Sequence, residues 1–302
     1  MNIAVIGIGG VGGYFGGKLT QLLKSEKDLH ISFVARGQHM QEIRKNGLLL
    51  DTDEGEYVCH PSMITDTISE LPDIDFCLLC VKSYDLENVL QQLKSKVKDN
   101  TIILPLLNGV DIYERIRPIL TNAVVLPSCV YVGTHIEKPG KVTQRGGACT
   151  IHFGKDPQKD TMNPRIFDLF KKASIKHIWT DDPYPEIWSK FIFIASFGLV
   201  TARFGNTLGE IAGSDEKSTL VKQIMEEIYS IAKKKNIALP TTIVESSFSK
   251  ARSFPFEAKT SFHRDYEKGK KDERDLFGGA VIRMGKALGV KTTATESIYN
   301  AL

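Results

Sequence analysis

Residues 1–17 read MNIAVIGIGGVGGYFGG, and the reading of this stretch decides the fold. Residues 2–6 form a short, apolar, β-branched run, the pattern of a buried strand. Gly7-Ile8-Gly9-Gly10-Val11-Gly12 follows at once, a G-x-G-x-x-G spacing at Gly7, Gly9 and Gly12. Gly7 permits a tight strand-to-helix turn, Gly9 lets a pyrophosphate approach the backbone, and Gly12 lets the helix pack closely on the strand. The helix behind the glycines, expected over residues 14–23, offers free N–H groups and the positive end of its dipole to phosphates. A G-x-G-x-x-G alone is a weak signal. Its place between a strand and a helix makes Gly7 to Gly12 a candidate dinucleotide cradle rather than a merely glycine-rich turn.

Working outward, residues 30–35 read as a second strand ending in Ala35-Arg36-Gly37. An NAD-binding unit usually carries an Asp or Glu at this place, to accept from the ribose hydroxyls. A carboxylate would repel a 2′-phosphate, whereas the guanidinium of Arg36 can grip one, so NADP(H) is favoured over NAD(H). The bland alternative is a surface arginine in a loop. Residues 47–50 and 56–58 look like a hairpin around an Asp-Glu-Gly turn at 53–55. The near-continuous apolar run 75–81 suits a parallel strand covered on both faces. It ends in Lys82, which faces a cofactor cleft if ligands bind beyond the carboxyl ends of such strands, and is otherwise a solvated strand-end lysine. The next strand, 102–107, is closed by Asn108-Gly109. The amide of Asn108 can hydrogen-bond a nicotinamide, a ribose or a substrate oxygen, or else cap a helix over 112–119. Residues 124–132, 140–144 and 150–154 read as further strands, so the pattern is α/β to about residue 176.

After Trp179 the composition changes, and Asp181-Asp182-Pro183 resembles a helix entrance. The helix that follows is apolar on every side, and Lys190 is its only charge between Glu186 and Arg203. Such a helix should be buried, and an ammonium there is costly unless it is paired, hydrated or facing a cleft; the alternative is a lysine that snorkels to solvent. From Glu210 the chain reads as all helical. Stripes at Val221, Ile224, Met225, Ile228, Ile231 and Ala232, and at Leu276, Ala280, Met284, Ala287 and Leu288, are read as core. Between them, the charged segment 259–275 has a solvated linker as its bland reading.

With 302 residues the chain is long enough for two domains, and the net charge of +3 is too small to imply nucleic acid as a partner. The N-terminus lacks the basic start of a signal peptide, and no membrane span is expected beyond what a buried helix explains. The five cysteines show no disulfide or metal spacing, and Cys77 and Cys80 read as core thiols; a reducing cytoplasm follows. No metal is expected.

Several separated features coincide: Gly7-x-Gly9-x-x-Gly12 with Gly16, strand-end Lys82, Asn108-Gly109, and Trp188-x-Lys190 opening an apolar helix. Thr260-Ser261-x-x-x-Asp265, followed by Gly269-Lys270 and Glu273, completes them. Together they resemble the ketopantoate reductase (2-dehydropantoate 2-reductase) family along essentially the whole chain. The resemblance implies a Rossmann-type doubly wound sheet over 1–179 that binds NADP(H), followed by an all-helical substrate domain over 180–302. It implies NADPH-dependent reduction of a 2-oxo acid to a 2-hydroxy acid, with 2-dehydropantoate, on the route to pantothenate, as the first candidate. By position Lys190 looks like the general acid, Glu273 like its partner and that of a substrate hydroxyl, and Ser261 like a carboxylate contact. Asn108 would lie between nicotinamide and substrate, and Lys82 would touch the cofactor.

The chemistry agrees: hydride addition to a ketone puts negative charge on oxygen, which an ammonium can stabilise and protonate. The expected place for this is the cleft between domains. The sequence departs from the family where Ile194, Gly198 and Ala258 replace asparagines. An apolar wall there favours a less polar 2-oxo acid. A reductase of another 2-oxo acid, an opine-type dehydrogenase and a non-catalytic NADP-binding sensor are the alternatives. Similar proteins often use the helical domain as a dimer surface, so a homodimer is the assembly to test.

Overall fold

The computed structural model describes residues 1–159, 164–269 and 271–302. The chain divides into two units, residues 1–108 with 112–183, and residues 109–111 with 184–302. The first unit begins β1 (Asn2–Ile6), α1 (Gly10–Thr20), β2 (His30–Val34), α2 (Gly37–Asn46), β3 (Leu48–Thr52), β4 (Gly55–Cys59) and β5 (Met63–Thr65). It continues with β6 (Ile74–Leu79), α3 (Leu86–Leu93), β7 (Val97–Pro105), α4 (Ile112–Ile116), β8 (Val124–Val125) and β9 (Ser128–Tyr131). β10 (Thr134–Lys138), β11 (Lys141–Gln144), β12 (Thr150–Gly154), α5 (Arg165–Lys172) and β13 (Lys176–Thr180) complete it.

β1 lies inside a six-stranded, all-parallel sheet of order β5-β2-β1-β6-β7-β8. Numbered within the sheet, that is 3-2-1-4-5-6, the doubly wound Rossmann order, with its switch point between β1 and β6. Parallel pairing requires both faces to be covered, which explains why Ile3, Val5, Ile31, Phe33, Phe76, Leu78, Ile102 and Leu104 are all buried. A second sheet, β10-β11-β3-β4, packs on the other side of α1. The expected hairpin is β3–β4, turning between Thr52 and Gly55.

The glycines of α1 fall on two faces. A Cβ at Gly16 would lie 3.1 Å from Val5 and Phe33 of the parallel sheet. One at Gly13 would lie 2.7 Å from Val142, and one at Gly17 3.0 Å from Leu50, both in the second sheet. The helix is thus clamped between two sheets at a separation that larger residues would not allow.

Some readings need correction. The expected strand over 124–132 is two strands in different sheets, because Pro127 has no N–H with which to continue a ladder. The first helix starts at Gly10, and residues 21–24 are a 3-10 turn. β5, β10 and β13 leave no mark in the sequence pattern; they are short or half-exposed and lack a clear apolar period.

The second unit comprises α6 (Tyr184–Phe204), α7 (Leu208–Ala212), α8 (Asp215–Lys234), α9 (Ile243–Ser249), α10 (Ser261–Glu267), α11 (Ala280–Leu288) and α12 (Thr293–Asn300). A π-helical turn, Asp275–Gly279, leads directly into α11. α6 is long and apolar enough to cross a membrane, but most of it is buried in the protein. The α8 stripe is core as read. In α11, Ala287 is exposed and Met284 and Leu288 are half-buried, while Val281 and Gly285 are buried. The π turn carries an extra residue, so a 3.6-residue period extrapolated from Leu276 runs out of phase beyond it. The segment read as a linker contains α10, capped by Thr260, whose hydroxyl accepts from the His263 N–H at 3.1 Å.

Candidate active site

At the switch point the strand ends are held in line. The Gly7 N–H donates to the Val34 carbonyl (3.0 Å), Cys80 N–H to Ile6 (2.8 Å) and Leu106 N–H to Leu79 (2.8 Å). Gly7 has φ +92°, and a Cβ there would lie 2.8 Å from the Cys80 carbonyl oxygen. A Cβ at Gly12 would lie 2.1 Å from the Gly7 oxygen, so both glycines are dictated by packing. Gly9 is different. It occupies the N-cap of α1 with an ordinary φ of −90°, and a Cβ there would meet nothing within 4 Å. Neither the backbone nor any neighbour demands glycine, and open space lies before the N-terminus of an eleven-residue helix. That is the clearance a pyrophosphate needs, so these residues fit a dinucleotide. Gly10 has a packing reason of its own, since a Cβ would lie 2.8 Å from Thr134 Oγ1. Ile8 is buried and Val11 half-buried.

Arg36 is 61% exposed at the N-cap position of α2, and its Nη1 lies 3.6 Å from Asp85 Oδ2. Lys82 is half-buried and begins the short turn Ser83–Asp85, where the Asp85 N–H donates to the Lys82 carbonyl (3.0 Å). Asn108 is half-buried beyond β7, before Gly109 with φ +122°. It does not cap a helix, because α4 starts four residues later at Ile112 and ends at Ile116. The structure therefore brings Gly7, Gly9, Arg36, Lys82 and Asn108 to one edge of the parallel sheet, beyond four adjacent strands.

The other candidates lie in the helical unit. Lys190 is half-buried on α6, Ser261 is the exposed first residue of α10, and Glu273 is 7% exposed just before the π turn. An aromatic cluster joins these elements. Trp188 meets Phe191 (centroids 6.4 Å apart), Phe191 meets Phe277 (6.3 Å), and Phe277 meets Phe262 (5.5 Å). Each pair partner sits within four residues of Lys190, Ser261 or Glu273. A Cβ at Gly198 would lie 3.5 Å from the Phe262 ring, so α10 rests close on α6 there. Glu273 precedes a helix N-terminus, where the dipole favours a carboxylate, and π turns recur at functional sites. Lys270 lies outside the described residues.

Between Glu186 and Ala202 the exposure of α6 is confined to one stripe. From Glu186 to Ala202 the residues that are not buried are Glu186, Ser189, Lys190, Phe193 and Ile194. Toward the helix C-terminus, Lys190 therefore has only apolar accessible neighbours on its own helix. Phe193 stacks on exposed Phe254 at 5.6 Å and 15°. Ala258 is half-buried, and its carbonyl accepts from the Leu208 N–H. Sequence reasoning missed Phe193, Phe254 and Asp85. The two phenylalanines are signalled only by the α6 stripe once burial is known, and nothing local in the sequence marks Asp85.

Among the described residues no cluster of three or more His, Cys, Asp or Glu side chains could hold a metal ion. The five cysteines form no disulfide, and burial pushes the thiols of Cys77 and Cys80 up. A hollow of about 640 Å³ beside α5 and β13 contains none of these candidate residues.

Two family models match the chain: "Ketopantoate reductase PanE/ApbA" over residues 3–158 and "Ketopantoate reductase PanE/ApbA C terminal" over 183–302. The uncharacterized oxidoreductase YkpB of Bacillus subtilis is 26% identical over 300 residues, covering 99% of this chain and 97% of that protein. The crystal structure of 2-dehydropantoate 2-reductase from Porphyromonas gingivalis W83 is 29% identical, with a TM-score of 0.84 and coverage of 99% and 98%. A ternary structure of D-mandelate dehydrogenase with NADH and anilino(oxo)acetate shares the fold, with a TM-score of 0.85, 22% identity and coverage of 100% and 97%.

Proposed function

Because the chain belongs to the ketopantoate reductase family, we propose that it reduces a 2-oxo acid to a 2-hydroxy acid with NADPH as reductant. The observation that carries this reading is the cluster that ties the elements of Lys190, Ser261 and Glu273 together in one unit. When bound, the nicotinamide supplies a hydride to the carbonyl carbon of the acid. Gly7, Gly9 and Gly12, with the intervening Ile8, Gly10 and Val11, hold the pyrophosphate. Arg36 takes the 2′-phosphate, and Lys82 and Asn108 complete the cofactor edge.

Lys190 donates a hydrogen bond to the carbonyl oxygen, meets the negative charge that develops there, and delivers the proton that completes the hydroxyl. In this reading Glu273 serves as the partner of this ammonium and accepts from a substrate hydroxyl. Ser261, at the head of α10, donates to the substrate carboxylate. The net change is 2-oxo acid plus NADPH plus a proton to 2-hydroxy acid plus NADP⁺, and Lys190 regains its proton from solvent. The five cysteines without a disulfide suit a reducing cytoplasm.

2-Dehydropantoate is the first substrate to test, since the family is named for it. Phe193 and Ile194 favour a second reading, in which the acid carries an apolar group in place of a hydroxylated one. The D-mandelate dehydrogenase neighbour is named for such an acid. The test is NADPH oxidation with a panel of 2-oxo acids, for the wild type and for Lys190→Ala. Loss of a general acid should lower kcat by about 10²- to 10⁴-fold while NADPH still binds. Turnover that survives the substitution undiminished would refute the role of Lys190, and no turnover with any acid would refute the enzyme reading.

A further inference from the structure

Arg36 lies two residues beyond β2, and Asp85 lies six beyond β6. β1 runs between those two strands, paired to both. Their ion pair therefore crosses the end of β1, where the chain makes its Gly7 turn at the switch point. Both side chains are partly exposed, and an exposed pair of this kind adds little to stability. Its place matters more than its strength.

We propose that Asp85 sets the cofactor choice of this protein: its carboxylate competes with a 2′-phosphate for Arg36 and accepts from a ribose 2′-hydroxyl instead. The inference rests on the reading that the glycine turn holds a dinucleotide. A phosphate monoester brings nearly two negative charges. On the Arg36 guanidinium it stays within a few ångströms of the Asp85 carboxylate, whose Oδ2 lies 3.6 Å from Nη1. Like charges at this range, in a screened and half-exposed setting, weaken binding about five- to tenfold. A ribose 2′-hydroxyl brings no charge. It can donate to Asp85 while the Arg36–Asp85 contact persists. Arg36 alone would favour NADPH strongly; with Asp85 opposite, the preference is muted and NADH remains a usable ligand.

The experiment is a fluorescence titration of NADPH and NADH against wild type, Asp85→Asn, Arg36→Ala and the double variant, at low and at about 0.5 M salt. Asp85→Asn is expected to tighten NADPH five- to tenfold without tightening NADH. The gain should shrink at high salt and be smaller in the Arg36→Ala background, where no guanidinium holds the phosphate beside the carboxylate. An unchanged NADPH affinity in Asp85→Asn would overturn the proposal. An equal gain for both nucleotides would overturn it too, because the carboxylate would then act on the part they share. If the wild type binds neither nucleotide, the cofactor reading itself fails and this proposal with it.

Discussion

Exchanging Gly9 and Gly12 separately for alanine distinguishes a glycine kept for a ligand from one kept for the fold. At Gly12 the new methyl would sit 2.1 Å from the Gly7 carbonyl oxygen and 3.0 Å from Cys80 Cβ. Relief requires α1 to move off β1 by roughly 1 Å, yet the second sheet already presses on its other side at Gly13 and Gly17. Overpacking in such a place costs about 3 kcal/mol, a fall in Tm of about 6 °C or more. At Gly9 the methyl meets nothing within 4 Å and the backbone is one that alanine accepts. The loss there is that of a poorer N-cap, about 0.5–1 kcal/mol. The same methyl would project into the space assigned to the pyrophosphate, so NADPH affinity should fall at least about tenfold, or 1.4 kcal/mol. Urea unfolding and nucleotide titration on the two variants give the four numbers needed. A Gly9→Ala protein that binds NADPH as tightly as the wild type would refute the cradle. A Gly12→Ala protein of undiminished stability would refute the clamped helix.

Two other outcomes follow from particular side chains. Burial lowers the pKa of His39, whose Nδ1 accepts the Gly140 N–H at 3.0 Å. It also lowers that of His263, which is fully buried, with Glu267 Oε1 3.2 Å from its Nε2 but poorly aligned for a hydrogen bond. The unfolded chain therefore binds more protons below about pH 6.5, so stability is held above that pH and lost as pH falls toward the folded-state values. The urea midpoint should drop between pH 7.5 and pH 5.5 and drop less in His263→Gln; equal midpoints in the wild type would contradict this. On the substrate side, Ile194→Asn places an amide on the Lys190 stripe of α6. It should raise kcat/KM for 2-dehydropantoate relative to 3,3-dimethyl-2-oxobutanoate, which lacks its hydroxyl, by about tenfold. An unchanged ratio would show that the substrate does not lie along that stripe.

Much of the candidate site could be read before any coordinates. Gly7, Gly9 and Gly12 announce their geometry because backbone freedom and close approach are local properties. Arg36, Lys82 and Asn108 announce themselves by following apolar runs, since in a parallel sheet the end of a run is the edge where ligands bind. Lys190 stands out as one charge in an apolar helix, and the resemblance added Ser261 and Glu273. Other features stayed hidden. The second sheet joins β3 to β11 across nearly a hundred residues, a pairing no local pattern encodes. The π turn shifted the phase of α11, because period counting assumes a uniform helix.

What the sequence by itself determined is the backbone class of the principal segments: strand, tight glycine turn and helix, then helices in the second unit. Those follow from steric freedom and from the spacing of apolar residues, which act over a few positions. What only the tertiary structure decided is which side chains meet. Asp85 becomes the counter-charge of Arg36 because two strands lie on either side of a third. Phe193 and Ile194 become the accessible neighbours of Lys190 because every other face of α6 is covered. Such meetings depend on how distant segments stack, and free energy of that kind is spread over the whole core instead of being written in any one stretch.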